Sequence, residues 1–172
     1  MRNLGWLLLL NGALLARAQD ASGAAPGTEA APKPVAYAVI VHPKNPVKGI
    51  SFKDLRAFMK LDRQFWPNKK RCEVFLPGRK TGAYKLVLER VYKMKHKKLQ
   101  KYWVRKLYAG DIPAKPSYVP SAKAAIAQVG RTLGGLSIIR ADSVPAKGVR
   151  VLTLDGKKPG DKGYPLTAKP AR

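Results

Sequence analysis

Cysteine is almost absent from this 172-residue chain, histidine occurs only twice, and acidic residues are scarce. The single cysteine, Cys72, excludes an intramolecular disulfide, so the fold has to be held by its core. The two histidines, His42 and His96, are far in sequence from Cys72 and from each other, which leaves no zinc-ligand spacing. They also leave no Ser-His-Asp set to argue for, and neither a Gly-rich dinucleotide loop nor a P-loop occurs. These absences point away from an enzyme, and no bound cofactor or metal is expected. Ten Asp and Glu face 34 Lys and Arg, a formal net charge of +24. That imbalance favours anionic partners such as phosphate, polyanions or acidic surfaces, although a basic surface also serves solubility.

The most apolar stretch, residues 4–15, falls short of the roughly 20 residues a membrane span needs. It follows Arg2 and precedes Ala16-Arg17-Ala18, so residues 1–18 read as a secretory signal peptide cleaved after Ala18. Gln19, and not Cys, stands directly after that point, which argues against lipid attachment there. A periplasmic or secreted location is the expectation. Residues 19–34 are rich in Ala, Pro and Gly without apolar periodicity, and read as a flexible linker.

Beyond the linker, strands alternate with helices. Residues 35–41 are apolar on both faces, as in a central strand covered on both sides, and His42-Pro43 ends the run. Ser51 stands three residues before Asp54, a capping-box arrangement, and Phe52, Leu55, Phe58 and Met59 follow at helical spacing. Phe65-Trp66-Pro67 sits in a turn. Residues 71–76 alternate, placing Cys72 on one face with Val74 and Leu76 as a buried small hydrophobe. A second helix starts near Thr81 with Tyr84, Val87, Leu88 and Val91 on one stripe. A third runs over 96–108 with Leu99, Tyr102, Trp103, Lys106 and Leu107 inward, the Lys106 stem buried and its ammonium wet. Gly110 ends it, and Pro113 and Pro116 stiffen the exit. Ser121 caps a fourth helix with Ala122, Ala125, Ile126 and Val129 inward. Gly134-Gly135 turns into a strand at 136–139, and 149–154 form the last strand before Asp155-Gly156. The expected class is α/β, with one domain over 35–156 and a basic Pro/Gly-rich tail over 157–172 wrapping the surface.

Several segments, in order, match a known pattern. Residues 39–47 read strand and then His42-Pro43-Lys44-Asn45-Pro46-Val47. Residues 51–59 and Phe65-Trp66-Pro67 follow, then Tyr102-Trp103, Tyr108-Ala109-Gly110, Pro113 and Pro116. The segment 124–139 and Gly163-Tyr164-Pro165-Leu166 complete the set. Together they resemble the phosphate-transporter substrate-binding proteins of the type II periplasmic-binding-protein fold, in a small single-domain form. The resemblance implies a three-layer, lobe-like α/β domain that binds phosphate or a similar oxyanion, linked to uptake or sensing through an ABC transporter or envelope partner.

In that family a Ser-Gly-Thr loop opening a helix holds part of the phosphate. The matching stretch here is Gly78-Arg79-Lys80-Thr81-Gly82-Ala83. Unpaired N–H groups at a helix start suit an anion. Arg79 and Lys80 add charge, Thr81 offers a hydroxyl, and Gly82 permits close backbone approach, so Arg79, Lys80, Thr81, Gly82 and Ala83 are the candidate ligand residues. Thr81 is also a candidate cap for its own helix, and without the rest of the site capping is the stronger reading. The stretch departs from the family in lacking the third-position hydroxyl. Gly134-Gly135-Leu136-Ser137 stands where the family has Pro-Gly-Ala-Ile-Gly-Tyr. Nothing in the chain matches the first-lobe strand and loop of the phosphate cage. No acid is evident to receive the proton of a monohydrogen phosphate.

A second candidate is the basic belt of Lys93, Lys95, Lys97, Lys98, Lys101 and Arg105, continued by Lys106 around His96. It reads as a solvated helix face, or as the docking surface of an interaction module that keeps the fold, has lost the small-ligand site and binds an acidic protein, envelope polymer or nucleic acid. Tyr102 and Trp103 fall on the inward stripe, so they read as core and not as stacking platforms, and nucleic acid is not the favoured partner.

Overall fold

The computed structural model describes residues 34–168. The expected signal peptide, its cleavage site, the linker up to residue 33 and residues 169–172 lie outside the described residues.

A central sheet carries helices on both faces. In chain order the elements are β1 (Val35–Val41), β2 (Gly49–Ile50), α1 (Phe52–Met59), β3 (Glu73–Pro77), α2 (Gly82–Leu86) continuing as a π-helix (Val87–Tyr92), α3 (His96–Tyr108), β4 (Ser117–Val119), α4 (Ala122–Arg131), β5 (Gly135–Arg140), β6 (Arg150–Leu154) and β7 (Thr167–Ala168). The strands are ordered β2-β6-β1-β5-β3-β4, with β7 also paired to β1. β1 runs antiparallel to both neighbours, with Val39 opposite Ile138 of β5 and Leu152 of β6. β3 is parallel to β5 and to β4.

β1 is central because its two faces serve two cores. Tyr37, Val39 and Val41 meet Leu55, Phe58, Leu86, Val87, Leu99 and Trp103 from α1, α2 with its continuation, and α3. Ala38 and Ile40 meet Ala125 and Val129 of α4. The result is the expected three-layer α/β lobe. Cys72 lies with Val74 and Leu76 in the larger core, and burial, with Glu73 adding to it, pushes its thiol up to about 12.

Local chemistry sets the helix boundaries. Ser51 Oγ accepts from Asp54 N at 3.0 Å and donates to Asp54 Oδ2 at 2.8 Å, which starts α1. Asp155 Oδ1 satisfies the Phe52 N–H from across the domain. Gly110 ends the α3 region at φ +73, a left-handed conformation that glycine adopts freely. Trp66 stacks on Phe58 at 4.3 Å and its Nε1 donates to Gly134 O. A Cβ on Gly134 would fall 1.7 Å from Arg71 O, so only glycine lets β5 begin against the entry to β3.

Three features differ from expectation. The segment after Gly156 is not a surface tail up to Ala168. Tyr164 and Leu166 are buried in the larger core, Leu166 O accepts from Tyr37 N at 2.9 Å, and β7 pairs with β1. Three apolar residues among Lys, Gly and Pro carry too little periodicity to announce this. The short strand β4 lies between Pro116 and Pro120, where the pattern suggested only a stiff exit. The Lys106 ammonium is not left wet: it bonds Asp62 and the carbonyl of Lys60.

Candidate functional site

Two strand-to-helix turns define the site. After β3 the chain turns at Gly78 and enters α2 through Thr81, whose extended φ/ψ and hydroxyl make it the N-cap. After β4 it passes Pro120 and enters α4 through Ser121, whose Oγ accepts from Ala124 N at 3.1 Å. Because β3 and β4 are parallel neighbours, with Pro77 opposite Val119, both turns arrive at the same edge of the sheet. A cavity of about 120 Å³ lies between them, bordered by Gly78, Thr81, Gly82, Ala83, Ser121 and Ala122, with Arg140 and Ser143 on the far rim. Its floor is apolar, formed by Val119, Ile138 and Ile139.

The chemistry of this arrangement favours an anion. First-turn N–H groups, here those of Gly82, Ala83 and Ala122, have no acceptor within their own helices. The aligned peptide dipoles place partial positive charge at both helix starts. An apolar floor lowers the local dielectric and strengthens such contacts. Open α/β sheets commonly bind ligands at the carboxyl ends of their parallel strands, which is where this cavity lies.

The named residues of the loop divide. Thr81, Gly82 and Ala83 border the cavity, whereas Arg79 and Lys80 do not. The Arg79 guanidinium stacks 5.1 Å above the Tyr118 ring, and Lys80 is exposed. Thr81 Oγ1 donates to Gly78 O at 2.7 Å and accepts from Tyr84 N at 3.2 Å, so its proton is committed to the turn. Gly82 packs closely: a Cβ there would lie 2.7 Å from the Tyr37 hydroxyl. Ser121, Ala122, Arg140 and Ser143 were not foreseen as site residues. Ser121 carried a visible capping signal, but nothing in the sequence tied α4 to α2 before β4 was known to pair with β3. Arg140 pairs with Asp142, and that guanidinium holds the Asp142 carboxyl below its usual range.

Behind the loop, Tyr84 and His96 lie 2.7 Å apart, oxygen to Nδ1, and Gln100 donates to the Tyr118 hydroxyl at 2.8 Å. These contacts tie the start of α2 to α3 and to β4. Burial, with Tyr118 adding to it, pushes the Tyr84 phenol far above its ordinary value, so it stays a neutral hydrogen-bonding group.

The basic belt spans two segments. Lys93 and Lys95 lie in the connection between the π-helix and α3, while Lys97, Lys98, Lys101 and Arg105 are exposed along α3. Trp103 is buried and Tyr102 packs against the core, as the inward stripe required. Among the described residues no group of three His, Cys, Asp or Glu could hold a metal ion, and no helix is long and apolar enough to cross a membrane.

No protein-family model and no curated protein matches the sequence. Solved structures do match its fold. The chain is similar to a protein assigned as a phosphate ABC transporter substrate-binding protein, with bound phosphate, from Clostridium perfringens. That match has a TM-score of 0.63 at 14% identity and covers 78% of this chain and 53% of that one. PstS from Borrelia burgdorferi gives 0.62 at 14% identity, covering 79% and 55%. An ABC-type phosphate transport receptor from Vibrio cholerae gives 0.63 at 15%, covering 78% and 54%. The chain therefore shares its fold with part of these structures, and it spans about half the length of the structures it matches.

Proposed function

We propose that this domain binds a small tetrahedral oxyanion, phosphate foremost, in the cavity between the starts of α2 and α4, and serves as an exported binding component of an uptake or sensing system. One observation carries the reading. Two helices begin against a single cavity, with the first-turn residues Gly82, Ala83 and Ala122 at its border and Arg140 on its rim. The structures it matches in fold include one with bound phosphate. The leader-like residues 1–18 support export, and an ABC transporter or envelope partner would receive the ligand. The ligand contacts come chiefly from backbone N–H groups and Arg140, with Arg79 and Lys80 contributing longer-range charge. The reading assigns binding and no catalysis to the domain.

Calorimetric titration of the full chain with phosphate, with sulfate as control and at low and high salt, tests this. Saturable one-to-one binding that persists in salt is expected. Arg140→Gln should weaken it by about ten- to a hundredfold, as loss of a charge-assisted hydrogen bond of roughly 1.5–3 kcal/mol would. Arg79→Ala should cost less. No heat, or weak binding equal for both anions and erased by salt, would refute the site and favour the interaction-module reading.

A further inference from the structure

Two open grooves meet along α2 and its π-helical continuation. One, of about 560 Å³, opens beside Gly82 and is flanked by Lys85, Arg90 and Arg140. The other, also about 560 Å³, is flanked by Lys85, Lys93 and Lys95. Lys85 and Glu89 line both, so the grooves adjoin, and together they form a basic trough flanking residues 82–95. At the rise of a helix, the stretch from Gly82 to Lys93 covers about 16 Å.

Five cations line this trough against one acid, Glu89. All five are exposed, and among the described residues only Arg140 has an ion pair. Two of the placements run against local stability. Lys93 holds a left-handed conformation, φ +53, where glycine would carry less strain. Lys95 caps α3 without a side-chain hydrogen bond, and Lys97 and Lys98 follow in the first turn, where the helix dipole disfavours positive charge. At the other end Tyr37, 5% exposed, borders the trough. Its hydroxyl lies beside Gly82. None of the exposed large hydrophobics, Phe65, Val104, Tyr108 and Leu133, lines the trough.

We propose that this trough binds a linear chain of phosphate units, laid along α2 from Arg140 and the Tyr37 hydroxyl to Lys93 and Lys95. The trough shares Gly82 and Arg140 with the border of the oxyanion cavity, while Lys85, Arg90, Lys93 and Lys95 line the trough and not the cavity. Long inorganic polyphosphate, triphosphate and monophosphate are titrated separately into the full chain, and folding of each variant is checked by circular dichroism. Affinity is expected to rise with chain length. Lys85→Glu, and separately Lys93→Glu with Lys95→Glu, should each weaken polyphosphate binding by about tenfold or more and flatten its salt dependence. Glu89→Gln should tighten it, a gain that misfolding cannot produce. Lys44→Glu with Lys48→Glu makes the same charge change near the far end of β1 and should have a much smaller effect. Monophosphate binding should be untouched by the Lys93 and Lys95 changes, so failure of the trough and failure of the cavity are separately visible. Equal losses in the Lys44 and Lys48 variant, no gain in Glu89→Gln, or a sulfated polymer or single-stranded DNA bound as tightly and with the same dependence on Lys85 would overturn the proposal.

Discussion

Gly82 stands where a helix would ordinarily favour another residue, and substituting it separates two explanations for its presence. At an unconstrained helical position Gly→Ala stabilises by up to about 1 kcal/mol through helix propensity and the entropy of the unfolded chain. Here a Cβ would lie 2.7 Å from the Tyr37 hydroxyl, well inside the 3.4 Å where ordinary contact begins. Tyr37 is 5% exposed and its ring is clamped in the larger core, so the hydroxyl cannot swing aside freely. Overpacking of that kind costs about 1–3 kcal/mol, which outweighs the propensity gain. Gly82→Ala should therefore destabilise by roughly 1 kcal/mol net, lowering the thermal midpoint by about 3 °C. Tyr37→Phe removes only the obstructing oxygen, so adding it should restore the lost stability. The assay is urea and thermal unfolding of the two single variants and the double variant, analysed as a mutant cycle. Gly82→Ala as stable as the parent, or effects that simply add, would refute the close packing of α2 on β1.

Other expectations follow from single observations. Leu166 is fully buried, so Leu166→Ala should cost about 2–5 kcal/mol in chemical denaturation, and a change within error would return the C-terminal segment to the surface. Ser51→Ala removes the α1 cap and should cost about 1 kcal/mol by the same assay. The Cys72 thiol, raised from its ordinary 9.0 to about 12, keeps its proton in the folded state after the unfolded chain has lost it. Stability should therefore fall as pH rises through 9 toward 12, and Cys72→Ala should remove that component of the slope. A thiol reagent at pH 8 should label Cys72 only on unfolding, and rapid labelling of the folded protein would contradict its burial.

The two proposed anion sites make different demands on the chain. The cavity uses backbone dipoles on an apolar floor, so its binding should withstand salt. The trough uses exposed lysines, whose attraction for a charged chain is screened within about 10 Å at ordinary ionic strength. Salt dependence therefore distinguishes them without mutation.

Much of the fold was legible because it rests on local pattern. Residues 35–41 were apolar on both faces, and β1 is covered on both. Ser51, Thr81 and Ser121 each carried a capping signal, and each starts a helix in the structure. The inward stripe of α3 separated Trp103 from the lysines beside it, because helical period alone assigns faces. Gly134-Gly135 marked a turn that packing confirms as glycine-only at Gly134.

What local pattern could not carry were relations between distant segments. β4 spans three residues between prolines, and pairing with β3 is what makes it a strand. That pairing brings Ser121 and Ala122 to Thr81 and Gly82, so the cavity has no signature in either segment taken separately. The same holds for Leu166 against Tyr37, for Asp155 capping Phe52, and for Asp62 reaching Lys106. Composition, capping and period fixed which segments fold and which faces they bury, since those depend on neighbours a few residues away. Strand order, the shared edge of two helix starts and the partners of individual charges depend on contacts tens of residues apart, which only the packed chain brings together.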